Sequence, residues 1–207
     1  MFDASRKAFI TAVAATLVAL TVLVELEASS GVDNMLRELA LGSGLGTFPF
    51  WRNVSFLGST ALLTSASVVM IAALVVAHRN RSALQLAALM IGALLLNTGF
   101  KRLLGRERPP ELYPDTMPAS FSFPSGHALM SLVFYFTISF VASRMVAQRG
   151  LKIAIWTVGS VTVGAIGLSR VYLGVHYPSD VVAGYLVGAL WLAIAFGIIS
   201  GMQDRRS

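Results

Sequence analysis

Six apolar blocks, each long enough to cross a bilayer as a helix, dominate this sequence: about 8–26, 54–77, 82–100, 126–147, 151–169 and 179–201. A hydrocarbon core about 30 Å thick takes roughly 20 helical residues. No water is available there to bond an unpaired amide, so blocks of this length and composition must close their hydrogen bonds internally, as helices. Each block is flanked by charge, Pro or Gly, the residues that end apolar helices. Composition agrees, with 56% hydrophobic residues, 13% charged residues and a mean hydropathy of +0.73, outside the soluble globular range. The expected fold is all-α, a polytopic membrane protein built as a bundle of about six transmembrane helices. No repeat, low-complexity stretch or long linker divides the blocks, so residues 1–207 read as a single domain.

Charge orients the bundle. With the N-terminus in the cytoplasm, the inside segments hold nine basic residues (Arg6, Lys7, Arg79, Arg81, Arg144, Arg149, Lys152, Arg205 and Arg206) against Asp3 and Asp204. The outside segments then hold seven basic and eight acidic residues, the bias the positive-inside rule requires. Both termini are expected in the cytoplasm of a cell-membrane protein, with the connections 27–53 and 101–125 on the outer, periplasmic face. The first block follows Arg6 and Lys7 and precedes Ala28-Ser29-Ser30-Gly31 like a secretory signal, yet its apolar run is longer than a signal's and reads as an uncleaved anchor. The connection 27–53 carries Leu36, Leu39, Leu41, Phe48, Phe50 and Trp51; it reads either as a segment lying in the interface or as a loop with an aromatic anchor.

The net charge of +6 does not point to nucleic acid, because the basic residues are scattered between apolar blocks and form no stripe. The absence of cysteine excludes disulfides, thiolate-held metals and a cysteine nucleophile.

Three short segments carry chemistry, and the expected topology puts all of them on the outer face. In the first, Lys101 and Arg108-Pro109 are seven apart, about two turns of a continuing helix. Two cations on one face there would clamp a phosphate; cations at a helix end also snorkel to the interface without any further role. The second, Phe123-Pro-Ser-Gly-His127, opens the fourth block. A helix N-terminus offers free N–H groups to an anion, and glycine permits close approach; otherwise Ser125 is only a cap and His127 an interfacial residue. The third runs from Ser169-Arg170 to His176-Tyr-Pro-Ser-Asp180. Pro178 suits the first helical position of the last span, which sets Asp180 in its first turn within reach of His176. A carboxylate on one imidazole nitrogen fixes the tautomer and frees the other to attack; alone, Asp180 would merely complement the helix dipole. Taken together, the three segments bring Lys101, Arg108, Ser125, Gly126, His127, Arg170, His176 and Asp180 to one membrane surface. Ionisable residues there are functional candidates, and a basic, histidine-paired set suits phosphoryl transfer.

Lys-x6-Arg-Pro, Pro-Ser-Gly-His and Ser-Arg-x5-His-x3-Asp, in that order over residues 101–180 and without a substitution, resemble the three-part pattern of the type 2 phosphatidic acid phosphatase (PAP2) superfamily. The spans around them resemble its bacterial membrane-integrated members. The resemblance implies a lipid phosphatase that hydrolyses a lipid phosphomonoester or diphosphate through a phosphohistidine, with no metal and no other cofactor. His176 would attack phosphorus, Asp180 orient it, and His127 protonate the leaving oxygen and later activate water. Lys101, Arg108 and Arg170 would bind phosphate oxygens, with donors from Ser125 and Gly126.

Phosphatidylglycerol phosphate, phosphatidate, an isoprenyl diphosphate and lipid A phosphate all fit that chemistry. The same site would serve a phosphotransferase, or a vanadate haloperoxidase, which is usually a soluble helical protein. A non-hydrolytic lipid-phosphate transporter would need the cations but not His176 and Asp180. The expected partners are the lipid phosphate and membrane lipids. Arg102, Arg106, Glu107, Glu111 and Asp115 read as a solvated charged loop, and His78, on the opposite side, as uninvolved.

Overall fold

The computed structural model describes residues 4–110, 112–113 and 117–204. Among the described residues there are eight helices and no strand: α1 (Ala4–Glu25), α2 (Ser30–Gly42), α3 (Phe48–Phe56), α4 (Thr60–Val76), α5 (Asn80–Leu104), α6 (Gly126–Met145), α7 (Arg149–Tyr172) and α8 (Pro178–Asp204). Six spans are long and apolar enough to cross a membrane, and α3 with α4 makes one of them, Phe48–Val76. The all-α, six-span expectation therefore holds.

Two expectations change. The span drawn at 54–77 begins earlier and is broken at 57–59, where Ser59 caps α4 by accepting the Leu62 N–H at 3.2 Å. The break comes at a close approach to α7: a Cβ on Gly58 would lie 2.4 Å from Ile166. The connection 27–53 is mostly helix. On α2, Val32, Met35, Leu36 and Leu39 are exposed and recur at helical spacing along one face, while Asp33 is buried and the helix packs on α7 and α8. That favours the interfacial reading for α2. Trp51 does not act as an interface anchor: it is buried, stacked on Tyr172 with ring centroids 4.4 Å apart, and donates to the Leu45 carbonyl.

The helix α6 is the centre of the bundle, packed against α4, α5, α7 and α8 and burying Leu129, Met130, Val133 and Phe134. Large apolar residues of the outer helices, such as Val69, Leu95, Val161 and Ile198, are exposed, as lipid-facing side chains must be. Close contact between α6 and α8 depends on two glycines one turn apart. A Cβ on Gly184 would lie 2.6 Å from the Ser125 carbonyl oxygen, and one on Gly188 3.2 Å from that of Leu129. This small-residue pair lets the N-terminus of α6 lie against the first turns of α8. The C-terminal ends of α5 and α7 arrive at the same end of the bundle by alternation of direction.

Candidate active site

His176 lies in the short link between α7 and α8 and is 2% exposed. The helix α8 begins with Pro178, whose missing N–H costs nothing at the first helical position. Asp180 reaches back from the first turn, and its Oδ2 accepts the Tyr177 N–H at 2.9 Å, as the carboxylate of a capping box does. The same oxygen lies 3.3 Å from His176 Nδ1. On the other side of the ring, Arg108 Nη1 is 3.1 Å from Nε2 and also donates to the Val175 carbonyl at 2.6 Å. A guanidinium can only donate, so this pairing gives Nε2 the lone pair and leaves the proton on Nδ1, facing Asp180. Ser122 Oγ donates to Asp180 Oδ2 at 2.5 Å and lies 3.3 Å from Nδ1. Burial above all, which outweighs the upward pull of Asp180 and is helped to a lesser degree by Arg170 and Arg108, lowers the His176 pKa to about 3. The ring is neutral at neutral pH.

Lys101 and Arg108 come together, but not on one helix face. The helix α5 ends at Leu104 because Gly105 takes the left-handed conformation, φ 59°, and returns its N–H to the Lys101 carbonyl at 3.0 Å. Arg108 is therefore beyond the helix. The two cations converge instead on the segment 120–122. Lys101 Nζ donates to the carbonyls of Phe121 and Ser122, and Arg108 donates through Nε to Ser120 O at 2.8 Å and through Nη2 to Phe121 O at 3.2 Å. Lys101 is also within electrostatic reach of Arg170 and Asp180.

Arg170, in the last turn of α7, is buried and holds Ser55 Oγ of α3 through Nη1, while its Nε–H has no partner in the protein. Ser125 precedes α6 without capping it through its side chain, and its buried Oγ is likewise unpartnered. The Ser125 N–H donates to the Asp180 carbonyl at 2.9 Å, tying the start of α6 to the start of α8. Gly126 is packed against α5: a Cβ there would lie 3.0 Å from Asn97 Nδ2. His127, in the first turn of α6, is partly buried within electrostatic reach of Arg170, His176, Arg108 and Lys101. All eight residues singled out from the sequence thus belong to one end of the bundle. His78 is exposed at the other end, between α4 and α5.

Arg106 contradicts the expectation of a solvated loop. Its Nη1 donates to Asp180 Oδ1 at 2.6 Å and to Ser179 Oγ at 2.8 Å, its Nη2 donates to Asp33 Oδ2 at 2.8 Å, and the guanidinium stacks 4.3 Å over the Tyr177 ring. Burial alone would lower its pKa, but Asp180 and Asp33 outweigh burial and raise it. Asp33 in turn accepts the Ser179 N–H at 2.9 Å and the Ser179 hydroxyl at 2.6 Å. Arg102 and Glu107 are exposed as expected; Glu111 and Asp115 lie outside the described residues. Ser122, Asp33 and Ser55 also escaped the sequence reading. Asp33 had one weak signal, an acid on the polar side of an amphipathic stretch. Nothing in the spacing marked the two serines.

A family model described as the PAP2 superfamily matches residues 82–203, well over half of the chain. The chain belongs to the PAP2 superfamily. Phosphatidylglycerophosphatase B of Bacillus subtilis is 28% identical over 153 residues, which are 73% of this chain and 73% of that one. Undecaprenyl-diphosphatase of Sulfolobus acidocaldarius is 30% identical over 106 residues, 49% of this chain and 47% of that one. The crystal structure of the transmembrane PAP2-type phosphatidylglycerolphosphate phosphatase from Bacillus subtilis has the same fold, with a TM-score of 0.82 at 23% identity over 93% of this chain and 96% of that one. This PAP2 protein is accordingly a multi-pass membrane phosphatase. The match covers nearly all of α5 to α8 and the links between them, where all eight motif residues lie, and leaves out α2 and α3 with Asp33 and Ser55.

Proposed function

We propose that the protein hydrolyses a lipid phosphomonoester or diphosphate through a phosphohistidine on His176. The observation that carries this is the pairing of the His176 ring: Asp180 on Nδ1, and on Nε2 a donor-only guanidinium that requires a lone pair there. A nucleophile needs that tautomer and the neutral state. Two polar groups without a partner in the protein, Arg170 Nε and Ser125 Oγ, support an anion-binding role, since a buried unpaired donor costs about 1–3 kcal/mol and a phosphate oxygen would pair it.

In the first step the Nε2 lone pair forms a bond to phosphorus, the bond from phosphorus to the leaving oxygen breaks, and His127 in its protonated form gives that oxygen a proton. Neutral His127 then takes a proton from water as the water oxygen attacks phosphorus. The phosphorus–nitrogen bond breaks, phosphate leaves and His176 is free again. Lys101, Arg108 and Arg170 hold the phosphoryl oxygens with charge that strengthens in the transition state. Asp180 keeps the ring oriented and stabilises the positive charge it gains.

Phosphatidylglycerol phosphate and an isoprenyl diphosphate head the substrate classes, since the relatives named above act on lipids of these two kinds; phosphatidate and lipid A phosphate fit the same chemistry. The site faces away from the cytoplasm of the cell membrane, both termini face inward, and residues 1–207 work as one domain.

The mechanism is tested by rapid mixing of the His127→Ala variant with p-nitrophenyl phosphate, whose leaving group needs no proton. A burst of p-nitrophenol and a base-stable, acid-labile phosphoryl label on His176 are expected, with neither in His176→Ala. A label on His127 of a His176→Ala variant would reverse the two roles. Chase of the trapped label into a lipid acceptor rather than into water would make the protein a transferase.

A further inference from the structure

A cavity of about 830 Å³ opens at the end of the bundle opposite His176, a volume typical of sites for small organic ligands. It lies among α1, α4, α5, α6 and α8, and its lining changes character with depth. Arg6, Arg79 and Arg144 line it from the ends of α1, α5 and α6. One and two turns further along α5 come Ser82 and Gln85, and beyond them Leu89. The spacing of residues 79, 82, 85 and 89 keeps them on one helix face, and ten residues of helix rise carry that face about 15 Å into the bundle. On α8, Phe196 closes the apolar part together with Leu74 of α4. No acidic residue lines the cavity among the described residues.

Three guanidinium groups over a polar belt and an apolar floor complement an amphiphile with an anionic head. A free anion would leave the apolar walls unused, and water has too few polar partners in the lower part to fill it. Arginine at a membrane interface is also the residue that best grips phosphate oxygens.

We propose that this cavity binds one anionic glycerophospholipid of the surrounding bilayer, its headgroup phosphate held by Arg79 and Arg144 with Arg6 beside them and one acyl chain laid along Leu89 and Phe196. The site is separate from the catalytic one and would not turn its lipid over, since neither histidine of the catalytic end is near it. It would also brace α1 and α4 against the core, because these two helices form walls of the cavity.

The test is native mass spectrometry of the purified full chain in detergent, titrated with dioleoyl phosphatidylglycerol or dioleoyl phosphatidylcholine. The wild type should retain one phosphatidylglycerol at least tenfold more readily than phosphatidylcholine. The Arg79→Gln/Arg144→Gln double variant should lose this preference. Ala142→Phe, which fills the cavity beside intact arginines, should lose bound lipid of both kinds. Phosphate release by both variants in pure detergent, at near wild-type rates, checks that the catalytic end has folded. Arg170→Gln, altered at the other end, should keep the preference. Equal retention of the two lipids by the wild type, an unchanged preference in either cavity variant, or its loss in Arg170→Gln would overturn the proposal.

Discussion

Arg170 meets Ser55 through one nitrogen and leaves Nε–H unpaired in a buried position. A planar guanidinium can hold that serine and a phosphate oxygen at once, and an ammonium cannot reproduce the fork. Arg170→Lys is therefore expected to fold normally and to lose about 1.5–3 kcal/mol of transition-state stabilisation, the scale of a charged hydrogen bond. In steady-state kinetics that is a drop of roughly 10- to 150-fold in kcat/KM; a variant within a factor of two of the wild type would remove Arg170 from the phosphate-binding set. At this scale the sequence was informative wherever partners are near in the chain. His176 and Asp180 are four apart, and a proline beside them sets the helix start, so their pairing could be read directly. Ser122 and Asp180 are separated by 58 residues, although their oxygens are 2.5 Å apart. No local period encodes that contact, which depends on how α6 and α8 pack.

Among the elements, α2 was the least legible. Its sequence shows an apolar stripe suited to a membrane surface, but its polar side docks into the site: Asp33 takes the N–H of Ser179 at the start of α8 and one arm of Arg106. Arg106 bridges Asp33 and Asp180, the second of which is fully buried. Breaking a buried pair by removing one partner leaves an uncompensated charge. Arg106→Gln should therefore lower the melting temperature and reduce kcat about 10- to 100-fold, on the scale of a lost charged hydrogen bond, with KM changed little because Arg106 positions Asp180 rather than the substrate. Thermal melts and Michaelis–Menten kinetics on the same preparation check this. A variant with normal kcat would make Arg106 the solvated residue its neighbours are. The expected shared helix face of Lys101 and Arg108 failed for a related reason: Gly105 ends α5 between them. The two cations meet on the carbonyls of a loop whose path spacing alone does not reveal. The spans themselves were legible, because length and hydropathy decide them before any packing is known; the earlier start of the second span at Phe48 and its break at Gly58-Ser59 were not.

At the scale of the whole molecule, alternation of helix direction gathers the ends of α5 and α7 and the starts of α6 and α8 into one catalytic end, and leaves Arg6, Lys7, Arg79, Arg81, Arg144, Arg149 and Lys152 towards the other. The outward orientation proposed for the catalytic end rests on this charge bias and the positive-inside rule. The chain has no cysteine of its own, so single replacements report cleanly. Glu107→Cys in intact cells should react with an impermeant thiol reagent, and Gln148→Cys should react only after the membrane is opened; the reverse pattern would invert the topology. The family and the helical bundle fix the chemical class, and the central claim is that this chain releases phosphate from a lipid through His176. The most direct measurement is inorganic phosphate released by purified protein in mixed micelles from phosphatidylglycerol phosphate, phosphatidate, an isoprenyl diphosphate and lipid A phosphate, with His176→Ala alongside. The account predicts turnover of at least one of these lipids by the wild type and none by the variant, whereas turnover retained in His176→Ala, or phosphate release from none of the four, would contradict it.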